Sequence, residues 1–222
     1  MTRTLESTAP RRGERSFSEV FAQALAGHPC TVTGLDADPR PLPMSSWTRE
    51  ADDHDQAMLD LCVGATLDIG CGPGRLTSAL TRAGQAALGI DVVAEAVGQT
   101  RSRGGPALQR DVFDQLPAEG RWGTALLADG NIGIGGDPAA LLVRARDLVA
   151  PSGRIVVEVA PPGIRSRTVW ATLECGDTAS RPFRWAIVGA DAITSLATTV
   201  GLAVLGLQQH GERWSAVLQV PL

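Results

Sequence analysis

The chain has 222 residues, 44% of them hydrophobic and 20% charged, with a formal net charge of -4. This length suits one α/β domain with a small extension, and it can bury a core without metal or disulfide staples. The mild negative charge excludes broad attraction to nucleic acid, and no apolar run reaches the length of a bilayer span. Lysine and tyrosine are absent, and Asn131 is the one asparagine. A lysine Schiff base, a P-loop lysine and a Tyr/Lys dehydrogenase pair are thereby excluded. The four cysteines, Cys30, Cys62, Cys71 and Cys175, form no CxxC pair and no cluster with zinc spacing. Reduced, mostly buried thiols in a cytoplasmic protein are expected, with no metal site.

Residues 1–15 carry Arg3, Arg11, Arg12 and Arg15 without a hydrophobic centre. They read as a disordered tail and not as a secretory signal. Residues 16–27 place Phe17, Val20, Phe21 and Leu25 on one helical face, with Gly27 as the stop. Residues 30–35 are strand-like, and 36–43 are rich in turn residues. A second helix is predicted within 46–62, with acids in its early turns. In Asp52-Asp53-His54-Asp55, adjacent helical residues diverge, so the group reads as a solvated acidic face and not a metal cluster. Residues 16–63 together form an N-terminal cap that is expected to cross the top of the active site.

From residue 64 strand and helix alternate. Strands are predicted at 65–69, 86–90, 107–110, 122–128 and 154–160. Helices are predicted at 75–83, 94–103 and 138–149, the last capped by Asp137 with Pro138 in its first turn. This rhythm points to a parallel sheet with helices on both faces. Residues 161–189 interrupt it as a lid-like insertion containing Trp170 and Trp185. A helix at 190–200 and strands at 202–208 and 213–220, joined by a short turn, then close the sheet edge with an antiparallel hairpin.

The decisive segment is Thr66-Leu67-Asp68-Ile69-Gly70-Cys71-Gly72-Pro73-Gly74-Arg75, which follows an apolar strand and opens a helix. Its glycines allow a sharp turn and a close approach of ligand to backbone. The D-x-G-x-G-x-G spacing differs from the G-x-G-x-x-G dinucleotide fingerprint, because the third glycine comes one residue too early. Asp91 ends the next strand, where a carboxylate can accept from both hydroxyls of a ribose. Val92 follows it, and Asp111-Val112-Phe113 follows the third strand.

These residues, with the turn Leu148-Val149-Ala150-Pro151-Ser152-Gly153, resemble the class I S-adenosylmethionine-dependent methyltransferases over roughly residues 47–220. The resemblance implies a Rossmann-like, doubly wound, seven-stranded sheet, with S-adenosylmethionine as cofactor and S-adenosylhomocysteine as product. It implies that Asp68, Gly70, Cys71, Gly72 and Gly74 form the cofactor loop and that Asp91 and Val92 contact ribose and adenine. Asp111 would accept from the adenine amino group, Val112 and Phe113 would pack on the ring, and Ala128 would abut the methionine part. Ser152 stands where the family has its first glycine of the turn, and Gly153 can still supply the bend.

Ligands of such sheets bind beyond the carboxyl ends of the strands. That places 128–137 at the reacting end, where Asp129 and Asn131 are the leading polar candidates for catalysis. Asn131 also suits a simple left-handed turn. Glu158 interrupts an apolar strand, where it reads as a base, a substrate ligand or an ion pair with an arginine. Trp47, Trp170 and Trp185 can select a flat or apolar acceptor, while Arg165, Arg167, Arg181 and Arg184 suit an anionic one. A small-molecule acceptor is expected. The rivals are a non-catalytic adenosylmethionine-binding protein and a nicotinamide-dependent oxidoreductase, the latter opposed by the glycine spacing.

Overall fold

The structure is a computed structural model and describes residues 13–221. In chain order it begins with β1 (Gly13–Arg15), α1 (Phe17–Leu25), β2 (Cys30–Thr33), β3 (Arg40–Pro41), α2 (Met44–Thr48) and α3 (Asp53–Leu59). The alternating layer follows as β4 (Thr66–Ile69), α4 (Arg75–Arg82), β5 (Ala87–Asp91), α5 (Ala94–Ser102), β6 (Ala107–Gln109), β7 (Trp122–Leu127), α6 (Pro138–Leu148) and β8 (Val149–Val159). The remainder is β9 (Arg167–Cys175), β10 (Thr178–Ser180), β11 (Phe183–Ile187), α7 (Ile193–Thr199), β12 (Ala203–His210) and β13 (Arg213–Gln219).

The main sheet has seven strands in the order β12-β13-β8-β7-β4-β5-β6. Strands β4 to β8 pair in parallel, and β13 runs antiparallel to both β8 and β12. Both faces are covered. Ala125, Leu127, Ile155 and Val157 pack with Leu141, Leu142 and Leu148 of α6 and with Ile193 and Ala197 of α7. Leu126 and Val156 point the other way, onto Met58 and Leu59 of α3 and Leu76 and Leu80 of α4. Two-sided burial explains why β7 and the inner part of β8 read as largely apolar runs. Among the described residues no helix is long and apolar enough to cross a membrane.

Polar side chains fix where the helices begin. Ser16 and Glu19 form a reciprocal capping box on α1, and Asp52 and Asp55 form one on α3. The Asp52 cap splits the predicted single helix in 46–62, because Asp52 must be extended to accept from the Asp55 amide at 2.9 Å. Asp137 caps α6 by accepting from the Ala140 amide at 3.0 Å, with Pro138 in the first turn.

A second sheet lies at the N-terminal side. Its order is β1-β10-β9-β2-β3, with β11 also paired to β9. Residues 161–189, the expected lid-like insertion, therefore contain three strands and share this sheet with strands of the N-terminal segment. Part of the expected disordered tail, Gly13–Arg15, is a strand parallel to β10, and residues 1–12 lie outside the described residues. Along β9, Ala171, Leu173 and Cys175 face Val20 and Ala24 of α1, while Trp170 on the opposite face is 65% exposed.

The β2/β9 register sets Cys30 opposite Cys175 with a Cα–Cα distance of 4.3 Å, and the two are joined by a disulfide. This corrects the expectation of four reduced thiols. Only Cys62 and Cys71 are free. The pairing spans 145 residues of sequence and depends on strand register, which no local cysteine spacing reveals.

Candidate active site

The segment from Gly70 to Gly74 bends over the end of β4 into α4. The Gly70 and Cys71 amides both donate to the Ile90 carbonyl, at 2.9 and 3.0 Å, which ties the loop to β5. Gly72 has φ +53, and a Cβ built there would meet nothing within 4 Å. Gly70 has φ +72, and its Cβ would lie 2.7 Å from the Asn131 Nδ2. The loop thus offers open space above Gly72 and a brace beneath Gly70. Asp68 and Cys71 sit below this surface, 2% and 8% exposed. The Asp68 Oδ2 accepts from the Thr77 hydroxyl at 2.6 Å. Burial pushes the Asp68 carboxyl up to about 6, with the Asp129 charge adding to the rise and the Thr77 bond opposing it. Burial, then the charges of Asp68 and Asp91, raise the Cys71 thiol far above its ordinary range.

Asp91 ends β5 beside the loop. Its Oδ2 accepts from the Gly72 amide at 3.0 Å and its Oδ1 from the Val93 amide at 2.9 Å. Burial raises its carboxyl and these backbone bonds oppose the rise. A carboxylate has about four acceptor sites, so two stay available for a diol. Val92 and Phe113, 40% and 50% exposed, leave apolar surface on this side, whereas Val112 is buried in the main core. The Asp111 carboxylate turns back to accept from the Phe113 amide at 3.0 Å.

Beyond β7, Ala128 is buried, and Asp129 and Gly130 adopt left-handed conformations with φ of 51° and 79°. The left-handed residues are thus Asp129 and Gly130, and Asn131 begins a short 3-10 turn. The Asn131 Nδ2 donates to the carbonyls of Ile69 and Gly70, both at 2.9 Å. The Asp129 amide donates to the Glu158 Oε2 at 2.7 Å. Glu158 also accepts from Arg213, at 2.9 Å from Nε and 2.6 Å from Nη2.

Sequence reasoning missed the centre of this network. Asp55 is fully buried and accepts from Arg75, from Arg213 at 2.5 Å and from Arg49 at 2.6 Å. Arg75, 3% exposed, also donates to Asp129 at 2.7 and 2.5 Å. Burial opposes ionisation of Asp55, but the bonds from Arg75, the Asp52 backbone and Arg213 outweigh it and hold its carboxyl well below the usual range. The acidic run at 52–55 is therefore not a uniformly solvated face. The available signal was the capping-box spacing, which turns Asp55 inward while leaving Asp53 and His54 exposed.

The second sheet meets the site through the loop after β7. Ile134 forms an isolated bridge with Trp185, and the Gly136 carbonyl accepts from the Thr168 hydroxyl at 3.0 Å. Phe21 contacts Trp47, with ring centroids 5.9 Å apart. Of the four arginines near the insertion, Arg167 is held by the Asp36 carboxylate at 3.0 Å and by the Leu35 carbonyl.

Residues 67–157 match the methyltransferase domain family. No curated protein matches the chain. Among solved structures, it is similar to a SAM-dependent methyltransferase from Bacteroides fragilis in complex with S-adenosyl-L-homocysteine, at 20% identity and TM-score 0.78, covering 96% of this chain and 98% of that one. It is similar to the CcbJ methyltransferase from Streptomyces caelestis at 14% identity and TM-score 0.60, covering 79% and 92%. It is also similar to the glycopeptide N-methyltransferase MtfA complexed with S-adenosyl-L-methionine, at 16% identity and TM-score 0.58, covering 77% and 95%. Residues 67–157 thus carry a methyltransferase domain, and the chain as a whole has the fold of S-adenosylmethionine-dependent methyltransferases.

Proposed function

We propose that the site transfers the methyl group of S-adenosylmethionine to a small-molecule acceptor. The observation that carries this reading is the Asp91 carboxylate, fixed by the Gly72 and Val93 amides beside open space at Gly72. A Cβ would fill that space, so the backbone there fits a bulky ligand that side chains would exclude. In this reading Asp91 binds the ribose diol, Val92 and Phe113 flank the adenine, and Asp111 faces its amino group. Gly70, Cys71, Gly72 and Gly74 form the floor, Asp68 props it from below through Thr77, Val112 anchors the adenine loop in the core, and Ala128 abuts the methionine part.

When bound, the cofactor supplies a methyl group on a positively charged sulfonium, open to direct displacement by a lone pair on the acceptor. The protein then has to align the partners and exclude water. Asp129 lies at the reacting end with its carboxylate oriented by Arg75 and Arg213. Glu158 holds Arg213 and the Asp129 amide in place, so it acts as a positioning residue and not as a free base. Asn131 fixes the height of the glycine loop. A small acceptor is favoured by the net charge of -4 and by the second sheet that adjoins the loop after β7. The likeness to a glycopeptide N-methyltransferase points the same way.

The test is a screen with isotopically labelled S-adenosylmethionine against small nucleophiles, a folded RNA and a denatured protein mixture. Label in a small molecule supports the reading, and label only in RNA or protein contradicts it.

A further inference from the structure

The aromatic side chains are unevenly placed. The chain has nine aromatic residues, four Phe and five Trp. The main core is otherwise aliphatic, with Trp122 its one fully incorporated ring and Trp214 at its margin. Five others form an unbroken series. Trp47 meets Phe21 at 5.9 Å, Phe21 stacks on Phe17 at 5.4 Å, Phe17 meets Phe183 edge-on at 4.9 Å, and Phe183 meets Trp185 at 6.4 Å. All five are half-buried. They are contributed by α1, α2 and β11, which are far apart in sequence, so helical periodicity alone does not bring them together.

The series touches both sides of the candidate site, through its two α1 rings and through Trp185 at one end. Phe17 and Phe21 pack with Val93 and Ala96, next to Asp91 at the end of β5. The Trp185 indole lies against Gly133 in the loop after β7, where a Cβ would come within 2.5 Å of its Nε1. On β9 and β11, Phe183 and Trp185 stand opposite Ala171 and Val169, on the face that also receives α1. Phe113, half-exposed, comes within 3.9 Å of where a Gly135 Cβ would be, on the same loop. The rings thus run from the ribose side of the site to its reacting end.

We infer that this aromatic series is the acceptor wall and that the acceptor is a flat aromatic molecule stacked against it. The inference rests on the methyltransferase reading above and adds the substrate class. Ring faces favour offset or edge-on contact with another π-system, a preference that a saturated ring of equal size does not satisfy. Trp185 touches the loop after β7 directly, so it sets how far the acceptor ring advances towards the transferable methyl group. Phe17 and Phe183 set its plane.

The test uses the full chain saturated with S-adenosylhomocysteine and titrated calorimetrically with 2-naphthol and with its saturated counterpart, decahydro-2-naphthol, both uncharged at neutral pH. The aromatic probe is expected to bind about tenfold more tightly. Trp185→Ala and Phe17→Ala are each expected to weaken it about tenfold while S-adenosylhomocysteine affinity stays within about twofold, and Trp185→Phe is expected to restore most of the loss. Equal binding of the two probes, no binding of the aromatic probe, or aromatic binding unmoved in variants that retain S-adenosylhomocysteine would overturn the inference. In those cases intact S-adenosylhomocysteine binding leaves the methyltransferase reading standing. Failure of the wild-type chain to bind S-adenosylhomocysteine would remove both.

Discussion

The Asn131 carboxamide reaches across to Gly70 and donates to its carbonyl at 2.9 Å, joining the loop after β7 to the glycine loop after β4. The same Nδ2 donates to Ile69, so one side chain satisfies two carbonyls at the base of the glycine loop. Asn131→Ala is expected to free that loop and weaken S-adenosylhomocysteine about tenfold, in line with the loss of two buried hydrogen bonds. Calorimetry checks this. Unchanged affinity together with lost turnover would return Asn131 to a direct role at the acceptor.

Gly72 and Gly70 separate ligand space from fold. Gly72→Ala adds a methyl group to open space, and its left-handed backbone costs about 1 kcal/mol. It is expected to fold almost normally yet lose S-adenosylhomocysteine binding. Gly70→Ala drives its Cβ into the Asn131 carboxamide and is expected to lower both stability and binding. Thermal unfolding and calorimetry on both variants decide the matter, and normal ligand affinity in Gly72→Ala would contradict the cradle.

The buried Asp68 carboxyl makes stability fall with rising pH. Its folded value of about 6 lies above the ordinary 3.8, so between these values the folded chain holds a proton that the unfolded chain has released. The contribution is complete below about pH 4 and is lost as pH rises through about 6, an effect of about 3 kcal/mol. Asp68→Asn should flatten the denaturation profile over this window. Asp55 acts in the opposite sense. Its value is depressed, so its contribution is present above the ordinary carboxylate range and is lost only in strong acid. A wild-type profile with no decline between pH 4 and 6 would contradict the placement of Asp68.

The Cys30–Cys175 disulfide ties β2 to β9 across 145 residues, a loop whose closure is worth about 5 kcal/mol in the chain-entropy account. Protein unfolded without reductant should titrate with two thiols, Cys62 and Cys71, and Cys30→Ser should unfold at lower denaturant. Four reactive thiols under those conditions would contradict the bond.

Much of the alternating layer was legible because buried parallel strands leave apolar runs and the helices carry caps, as Asp137 does for α6. The glycine loop and Asp91 were legible because their spacing is local. The second sheet was not, since β9 within residues 161–189 pairs with β2 more than a hundred residues away, a partnership no local pattern specifies. Asp55 was illegible for a related reason. Its burial depends on Arg75 and Arg213, which only the tertiary fold brings to it, and a buried carboxylate is tolerated only with such partners. Glu158 was half legible: a lone acid in an apolar strand announced a partner, and the strand pairing with β13 identified it as Arg213.

The most direct test of the account is calorimetric titration of the wild-type chain and of Asp91→Ala with S-adenosylhomocysteine and NADH in parallel. The account expects the wild type to bind S-adenosylhomocysteine and not NADH, and Asp91→Ala to bind it at least tenfold more weakly through loss of charge-assisted hydrogen bonds to the ribose. Binding of NADH alone, or equal affinity for S-adenosylhomocysteine in both proteins, would contradict the cofactor site described.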